Sequence, residues 1–366
     1  MNSSDAKRHI AIVPAHGRGA LSNRESRFIS QGREIDLSYL EAIRDEVPEG
    51  IIKTETALVE AKSIISRNES PDVGFDRSIN PYLGCEHGCV YCYARPTHTY
   101  LGLSAGLDFE TKLTAKTNAA ALLRAELSRP SYEPKLIALG ANTDPYQPIE
   151  RDLKVTREVL EVLAEFNHPV SITTKSALVV RDLDILVPMA EKGLARVLMS
   201  IGTVDAAIAR TMEPRANAPA RRFQAIEKLT QAGVPAMVIV APVIPALTDP
   251  HVEQVLERAA EAGADSATYV LLRLPLEVRD LFVEWLETHY PHRAKHVMSL
   301  VNQMRGGRDY DSDFKSRMKG TGLFAELLAN RFRLACSRNG LNRGWSALDT
   351  SRFAVPKVAT DQLDLF

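Results

Sequence analysis

The sequence predicts an α/β protein, a partial (β/α)6 TIM-like barrel with an extension at each end. Three observations carry that reading. From about residue 75 onward, short β-branched runs alternate with amphipathic stretches, the pattern of a parallel sheet faced by helices. From the second run onward, strand starts recur every 26 to 40 residues, the length of a strand–helix–strand crossover. Gly193, Gly233 and Gly263 follow three of the helical stretches, where a left-handed C-cap is wanted. The count comes to about six units, short of a full eight-fold barrel.

Taken in order, a first strand falls near residues 78–80, and an amphipathic stretch at 113–128 reads as one helix. Apolar runs at 136–140, 170–174, 196–201, 236–240 and 267–272 read as the remaining strands. Between and after them, amphipathic stretches at 154–166, 182–192, 220–232, 252–262 and 276–288 read as helices. The barrel so defined occupies residues 71–295.

Residues 1–70 lack this alternation. Gly17, Gly19, Ser22 and Asn23 are turn formers, and Arg18, Arg24, Arg27 and Arg33 make the segment basic. It reads as an irregular extension that wraps the barrel. Residues 296–355 read as a basic helical extension, since 301–350 hold 9 Lys/Arg against 5 Asp/Glu. Residues 356–366 read as a flexible tail.

Composition excludes several classes. The chain has 366 residues, 45% of them hydrophobic and 25% charged, with a net charge of −1; a disordered chain is poorer in apolar residues. The longest apolar stretch, 236–247, carries Pro242 and Pro245 and is too short to span a bilayer. The polar start, residues 1–8, has no apolar signal core, so a cytoplasmic protein without membrane contact is expected. In that compartment the 4 cysteines are ligands or reactive thiols rather than a disulfide frame.

Residues 84–93 read GCEHGCVYCY, placing Cys85, Cys89 and Cys92 in a C-x3-C-x2-C loop just after the first strand. Three thiolates on one loop hold three corners of an iron–sulfur cube and leave the fourth iron open to a substrate or cofactor. The competing reading is a structural zinc, which wants four closed ligands and would recruit Cys336 or His87. Three buried structural thiols are a weaker alternative, because Glu86, His87 and Gly88 are not core residue types.

This spacing, with the aromatic Tyr91 just before the third cysteine, resembles the signature of the radical SAM superfamily. The segments SINPYLGCEHGCVYCYARPTH, LDFETK, GANTDPYQPIE, TTKSALVVRDLD and TMEPRA are similar to its spore photoproduct lyase-like branch, described broadly as DNA repair photolyase-like. From GRGALSNRESRF onward the chain looks like one bacterial subfamily of that branch, whose substrate the motifs do not name. The resemblance implies a barrel of the radical SAM type and a [4Fe–4S] cluster on Cys85, Cys89 and Cys92. It also implies that S-adenosyl-L-methionine chelates the open iron. In such enzymes an electron from the cluster cleaves the sulfonium, and the 5′-deoxyadenosyl radical abstracts a hydrogen from the substrate. An external one-electron donor such as flavodoxin or ferredoxin is implied as well.

Sites of this kind sit at the carboxyl ends of barrel strands, where the remaining candidates fall. Tyr91 is expected against the cluster or the adenine, unless it is a plain core tyrosine. Asn142, Thr143 and Asp144 follow the second strand and are candidates for the methionine amino group or the ribose; capping the next helix is the alternative. Lys175 ends the third strand and is a candidate partner for the methionine carboxylate, against a solvated strand end. Ser200 lies at the fourth strand. Glu213, Arg215 and Arg221 come next, between the fourth and fifth strands, with Arg215 a candidate to face a bound carboxylate or phosphate; an Arg–Glu helix pair is the alternative.

In spore photoproduct lyase a cysteine near the second strand's end returns a hydrogen to the product radical; the corresponding position here is Ala141. Cys336, Tyr82, Tyr93 and Tyr146 are the candidate substitutes, or the reaction differs. Tyr91, Tyr146 and Cys336 are the expected catalytic set.

The chain ends Gln362, Leu363, Asp364, Leu365, Phe366. This QLDLF resembles the short motif by which bacterial replication and repair proteins dock on the DNA polymerase sliding clamp; a tail folded back on the body is the alternative. Arg305, Arg308, Arg317, Lys319, Arg331 and Arg333, with the basic N-terminal extension, are candidates for DNA phosphates or a solvated charged surface. The functional expectation is a radical enzyme acting on a DNA lesion. The alternatives are a radical enzyme for RNA or a small metabolite, and a zinc-stapled nucleic-acid-binding module that is not an enzyme.

Overall fold

The computed structural model describes residues 17–23, 26–28, 52–344 and 347–356. The clamp-like motif at 362–366, together with Arg24 and Arg33, lies outside the described residues.

The strands in chain order are β1 (Glu55–Val59), β2 (Ile65–Arg67), β3 (Arg77–Ile79), β4 (Tyr82–Leu83), β5 (Lys112–Lys116), β6 (Ile137–Leu139), β7 (Val170–Thr174), β8 (Ala195–Ser200), β9 (Ala236–Val243) and β10 (Ser266–Leu271). The large sheet runs β10-β9-β8-β7-β6-β3-β2. Its six strands from β3 to β10 are parallel, as the alternation predicts, and β2 adds an antiparallel edge. Register is continuous across its centre: Ile79 faces Leu139, Leu139 faces Ile172, Ile172 faces Val197 and Val197 faces Ala236. β6 is buried at every position, because a parallel sheet with crossovers is covered on both faces.

The helices are α1 (Asp108–Thr111), α2 (Ala119–Leu127), α3 (Glu150–Leu153), α4 (Val155–Glu165), α5 (Leu183–Glu191), α6 (Ala206–Met212), α7 (Pro219–Gln231), α8 (Val252–Glu261), α9 (Glu277–His289), α10 (Pro291–Met304) and α11 (Gly322–Arg338). Sequence explains their placement. In α8, Val252, Val255, Leu256 and Ala259 recur at helical spacing and are buried. Asp205 caps α6 by accepting from the Ala207 and Ile208 amides. Gly193, Gly233 and Gly263 adopt the left-handed conformation expected of them.

One expectation fails. Residues 113–128 are not a single helix: β5 occupies the first part and α2 the last. β5 pairs parallel with β1 and antiparallel with β4, forming a separate three-stranded sheet. The Leu113 and Ala115 side chains are buried while Lys112 is exposed, a period of two that outweighs helix propensity once β1 supplies a partner.

α9 and α10 enclose a second core around Phe282 and Trp285, which also takes in Ala20 and Val90. α11 adds Leu328, Phe332, Ala335 and Cys336 to the main core. At the amino end of the sheet, the segment 347–356 crosses the barrel: Asp349 donates its amide to the Gly193 carbonyl and Ala354 to that of Phe166. Among the described residues no helix is long and apolar enough to cross a membrane.

Candidate active site

The cysteine loop leaves β4 at the carboxyl end of the sheet and coils back on itself. The Gly88 amide donates to the Cys85 carbonyl, Cys92 to Cys89 and Arg95 to Cys92. All three thiols are free; Cys85 and Cys89 are buried and Cys92 is half-buried. Behind them the wholly buried Arg95 donates Nε to the Cys89 carbonyl at 2.9 Å and Nη1 to those of Ala105 and Gly106 at 3.0 and 2.9 Å. Its Nη2 pairs with the equally buried Glu110. The two Glu110 oxygens also accept the Gly19 and Ala20 amides at 2.9 and 2.8 Å. A buried ion pair is tolerable only when its remaining donors and acceptors are satisfied, and here they hold the loop from outside. Gly19 approaches so closely that a Cβ there would stand 1.7 Å from the Gly88 carbonyl oxygen.

The turn after β6 starts at Gly140, where φ is +84° and a Cβ would lie 2.2 Å from the Thr173 carbonyl oxygen. It delivers Asp144 to the thiols. Asp144 accepts from the Thr174 hydroxyl at 2.7 Å, the Lys175 amide at 2.7 Å and the Tyr146 amide at 2.9 Å, and its Oδ2 stands 3.3 Å from His87 Nδ1. Burial alone would raise its pKa, but His87 and these donors outweigh it and bring it down to about 2. Lys175 lies over the Tyr91 ring at 5.8 Å. Burial works against its ammonium, yet Cys89, Glu213 and Asp144 outweigh burial and raise its pKa.

Tyr91 donates to Glu213, and Glu213 pairs with the buried Arg222. Arg222 in turn donates to the Asn217 and Ser200 carbonyls at 2.6 and 2.9 Å. Glu213 is pushed up by burial but held lower overall by Arg222 and Lys175, while burial, Cys89 and Glu213 keep Tyr91 a neutral phenol. Tyr91, Lys175, Asp144 and the thiols therefore belong to one charged cluster.

The other predicted residues divide. Thr143 donates to the Tyr82 carbonyl at 2.9 Å, and the Asn142 amide donates to Asn80 Oδ1 at 3.0 Å. The Ser200 hydroxyl donates to the Ala241 carbonyl at 3.3 Å. Arg215 pairs with Glu86 at 3.0 Å. Among the hydroxyl candidates, Tyr146 donates to Asp182 at 3.0 Å, Tyr82 to Glu150 and Tyr93 to the Ala141 carbonyl. Cys336 lies on the buried face of α11 in the main core, its thiol pushed up to about 11 by burial with Lys319 opposing.

Sequence reading missed the Arg95–Glu110 clamp, and it missed Arg273. Arg273 follows β10, lies over the Tyr93 ring at 4.9 Å and keeps a buried Nε without a hydrogen-bond partner. An arginine just past an apolar strand, in LLRLP, is the signal that was available.

A parallel six-strand sheet with three free thiols gathered at its carboxyl end is a strand-end site of α/β enzyme type whose thiols could hold an iron–sulfur cluster. A family model described as the Radical SAM superfamily matches residues 79–259. An uncharacterized protein of Mycobacterium tuberculosis is 40% identical over 231 residues, covering 63% of this chain and 68% of that protein. Another, of Methanocaldococcus jannaschii, is 28% identical over 239 residues, 65% of this chain and 85% of that protein. A spore photoproduct lyase mutant solved with bound AdoMet and dinucleoside spore photoproduct shares the fold. Its TM-score is 0.51 at 16% identity over 78% of this chain and 80% of that one. The chain belongs to the radical SAM superfamily.

Membership implies a [4Fe–4S] cluster and S-adenosyl-L-methionine, and the donor set fits the cluster. Burial, then Asp144 and the two neighbouring thiols, push Cys85 well above the ordinary thiol range. Burial takes Cys89 to about 12. Thiols that hinder one another's ionisation in this way need a cationic centre to exist as thiolates. Among the described residues no group of three His, Cys, Asp or Glu side chains gathers around one ion position, and a cube that takes one thiolate per iron does not require it.

Proposed function

We propose that the chain is a radical SAM enzyme of the lyase, DNA repair photolyase-like type, acting on a nucleic-acid substrate, a DNA lesion. The observation that carries it is the joining of three free thiols to Lys175 and Asp144 at the carboxyl end of the sheet. When bound, the cluster and S-adenosyl-L-methionine together supply a 5′-deoxyadenosyl radical that takes a hydrogen atom from the substrate.

This chain's residues do the rest. Cys85, Cys89 and Cys92 hold three irons. Lys175 offers its ammonium to the methionine carboxylate, and Asn142, Thr143, Asp144, Ser200 and Arg215 line the way for the amino group, ribose and adenine. Tyr91 turns its ring to the cofactor, its hydroxyl fixed by Glu213. The Tyr146 phenol, kept protonated by burial and Asp182, would be the stored hydrogen, since Cys336 packs in the main core beside Lys319. The fold shared with a spore photoproduct lyase that binds a dinucleoside photoproduct supports the substrate class. An external flavodoxin or ferredoxin supplies the electron. The QLDLF tail docks on the sliding clamp, and the reducing cytoplasm keeps the thiols free.

Anaerobically reconstituted protein tests this reading. Iron and sulfide with S-adenosylmethionine cleavage, lost in Cys89→Ala, and deuterium passing from a damaged oligonucleotide into 5′-deoxyadenosine support it. Stoichiometric zinc without cleavage overturns it, and cleavage with no transfer from any DNA redirects it to RNA or a small metabolite. A clamp pull-down with and without the last five residues tests the tail.

A further inference from the structure

Beside the cysteine loop lies a pocket of about 330 Å³, most of whose cations have no part in the reaction outlined above. One wall is α7, which presents Arg221, Gln224, Ala225 and Lys228. These are spaced i, i+3, i+4 and i+7 and so share one face. Arg151 of α3 and Arg215 of the loop before α7 complete a set of four cations. Among the described residues no carboxylate lines the pocket. Among the described residues only Arg215 of the four has an acidic partner, Glu86 at 3.0 Å; Arg221 reaches the neutral Gln224 at 3.3 Å.

The floor is polar as well. Ser176 and Asn217 line it, their side chains 3.4 Å apart. His87, 2% exposed, forms part of the wall, its Nδ1 turned to the Asp144 carboxylate at 3.3 Å. Four cations around one cavity repel one another unless an anion joins them. Guanidinium donors reaching in from several directions suit a phosphate, whose oxygens point in several directions.

We propose that this pocket holds a backbone phosphate of the nucleic-acid strand whose neighbouring nucleotide enters the barrel mouth. The identity of the phosphate rests on the nucleic-acid reading above; the pocket's preference for phosphate does not. His87 belongs to both walls, since it lies between Cys85 and Cys89 in the loop. A phosphate bound here is thereby placed against the loop that carries the thiols.

The test uses the full chain, reconstituted, and a labelled single-stranded oligonucleotide titrated at several salt concentrations. The double variant Arg221→Gln/Lys228→Gln changes exposed positions only. Lys192→Gln/Arg352→Gln is the charge-matched control. The pocket variant is expected to bind on the order of tenfold more weakly, and its slope of log affinity against log salt to fall by about 0.7, one phosphate contact's worth; the control keeps its slope. Oligonucleotide binding equal in wild type and pocket variant overturns the proposal. Inorganic phosphate in a thermal-shift assay forms the second arm. If wild type ignores the oligonucleotide but phosphate stabilises it and not the variant, the pocket is a phosphate site fed by a free phosphate compound, and only the nucleic-acid reading falls. If neither ligand acts, the pocket is not a phosphate site.

Discussion

At the amino end of the sheet His168 is wholly buried between the Tyr132 hydroxyl, 2.8 Å from Nε2, and the Pro169 carbonyl, 3.0 Å from Nδ1. At the carboxyl end His87 is equally buried but faces the Asp144 carboxylate, in a cluster with Lys175, Glu213 and Arg222. The Pro169 carbonyl can only accept, so the His168 Nδ1 carries a proton, and burial disfavours a second one on Nε2; Phe353 and Tyr132 enclose the ring. One end is closed by aromatic packing and neutral hydrogen bonds. The other concentrates charge that burial alone disfavours. Stability and reactivity are thus allotted to opposite ends of the same strands, and perturbing each end should give a different signature.

The largest expected effect is at the charged end. Cys89→Ala should abolish iron binding and bring S-adenosylmethionine cleavage to background, while urea unfolding stays close to wild type and Cys336→Ala keeps its iron. Metal analysis and an anaerobic cleavage assay check this; a fully active Cys89→Ala would break the comparison.

Next is the clamp behind the loop. Glu110→Gln leaves the Arg95 charge buried without its partner and should cost about 3–5 kcal/mol in urea unfolding. Glu165→Gln, which breaks the exposed pair with Arg124, should cost about 0.2–1 kcal/mol. Equal costs would mean that the clamp is not structural.

The amino end should answer to acid. Burial, aided by the Arg77 charge, lowers His168 to about 4. Between that value and an ordinary histidine pKa near 6.5 the unfolded chain binds more protons than the folded one, so stability is intact above that range and falls as pH drops through it. The loss is at most about 3 kcal/mol. Unfolding measured from pH 7 to 4, with His168→Gln losing this window, checks it.

The smallest effect sharpens the charged end. Lys175→Met should raise the KM for S-adenosylmethionine about tenfold to a hundredfold, the worth of one hydrogen bond to a charged group, with iron content unchanged. An unaltered KM would remove Lys175 from the cofactor.

The six parallel strands were legible because each is a short apolar run between helical stretches, and at β7 the expected and observed bounds coincide. β5 was not, since its short alternation runs straight into the helical pattern of α2 and its partner β1 lies in the segment that reads as irregular. The three cysteines were legible from spacing alone. The Arg95–Glu110 pair was not: in ARPTH and FETK these charges look like solvated ones, and only the fold, by stacking α1 behind the loop, removes them from water. The partners of Arg215 and Cys336 were equally hidden, because a sequence does not say which glutamate or lysine comes near.

The grip of Arg95 on the Cys89, Ala105 and Gly106 carbonyls has a consequence for the life of the enzyme. The loop is braced by protein–protein hydrogen bonds that engage none of the three thiols. Oxygen that strips the metal should therefore leave a cradle ready to be refilled, and repeated damage and recharging need not pass through unfolding.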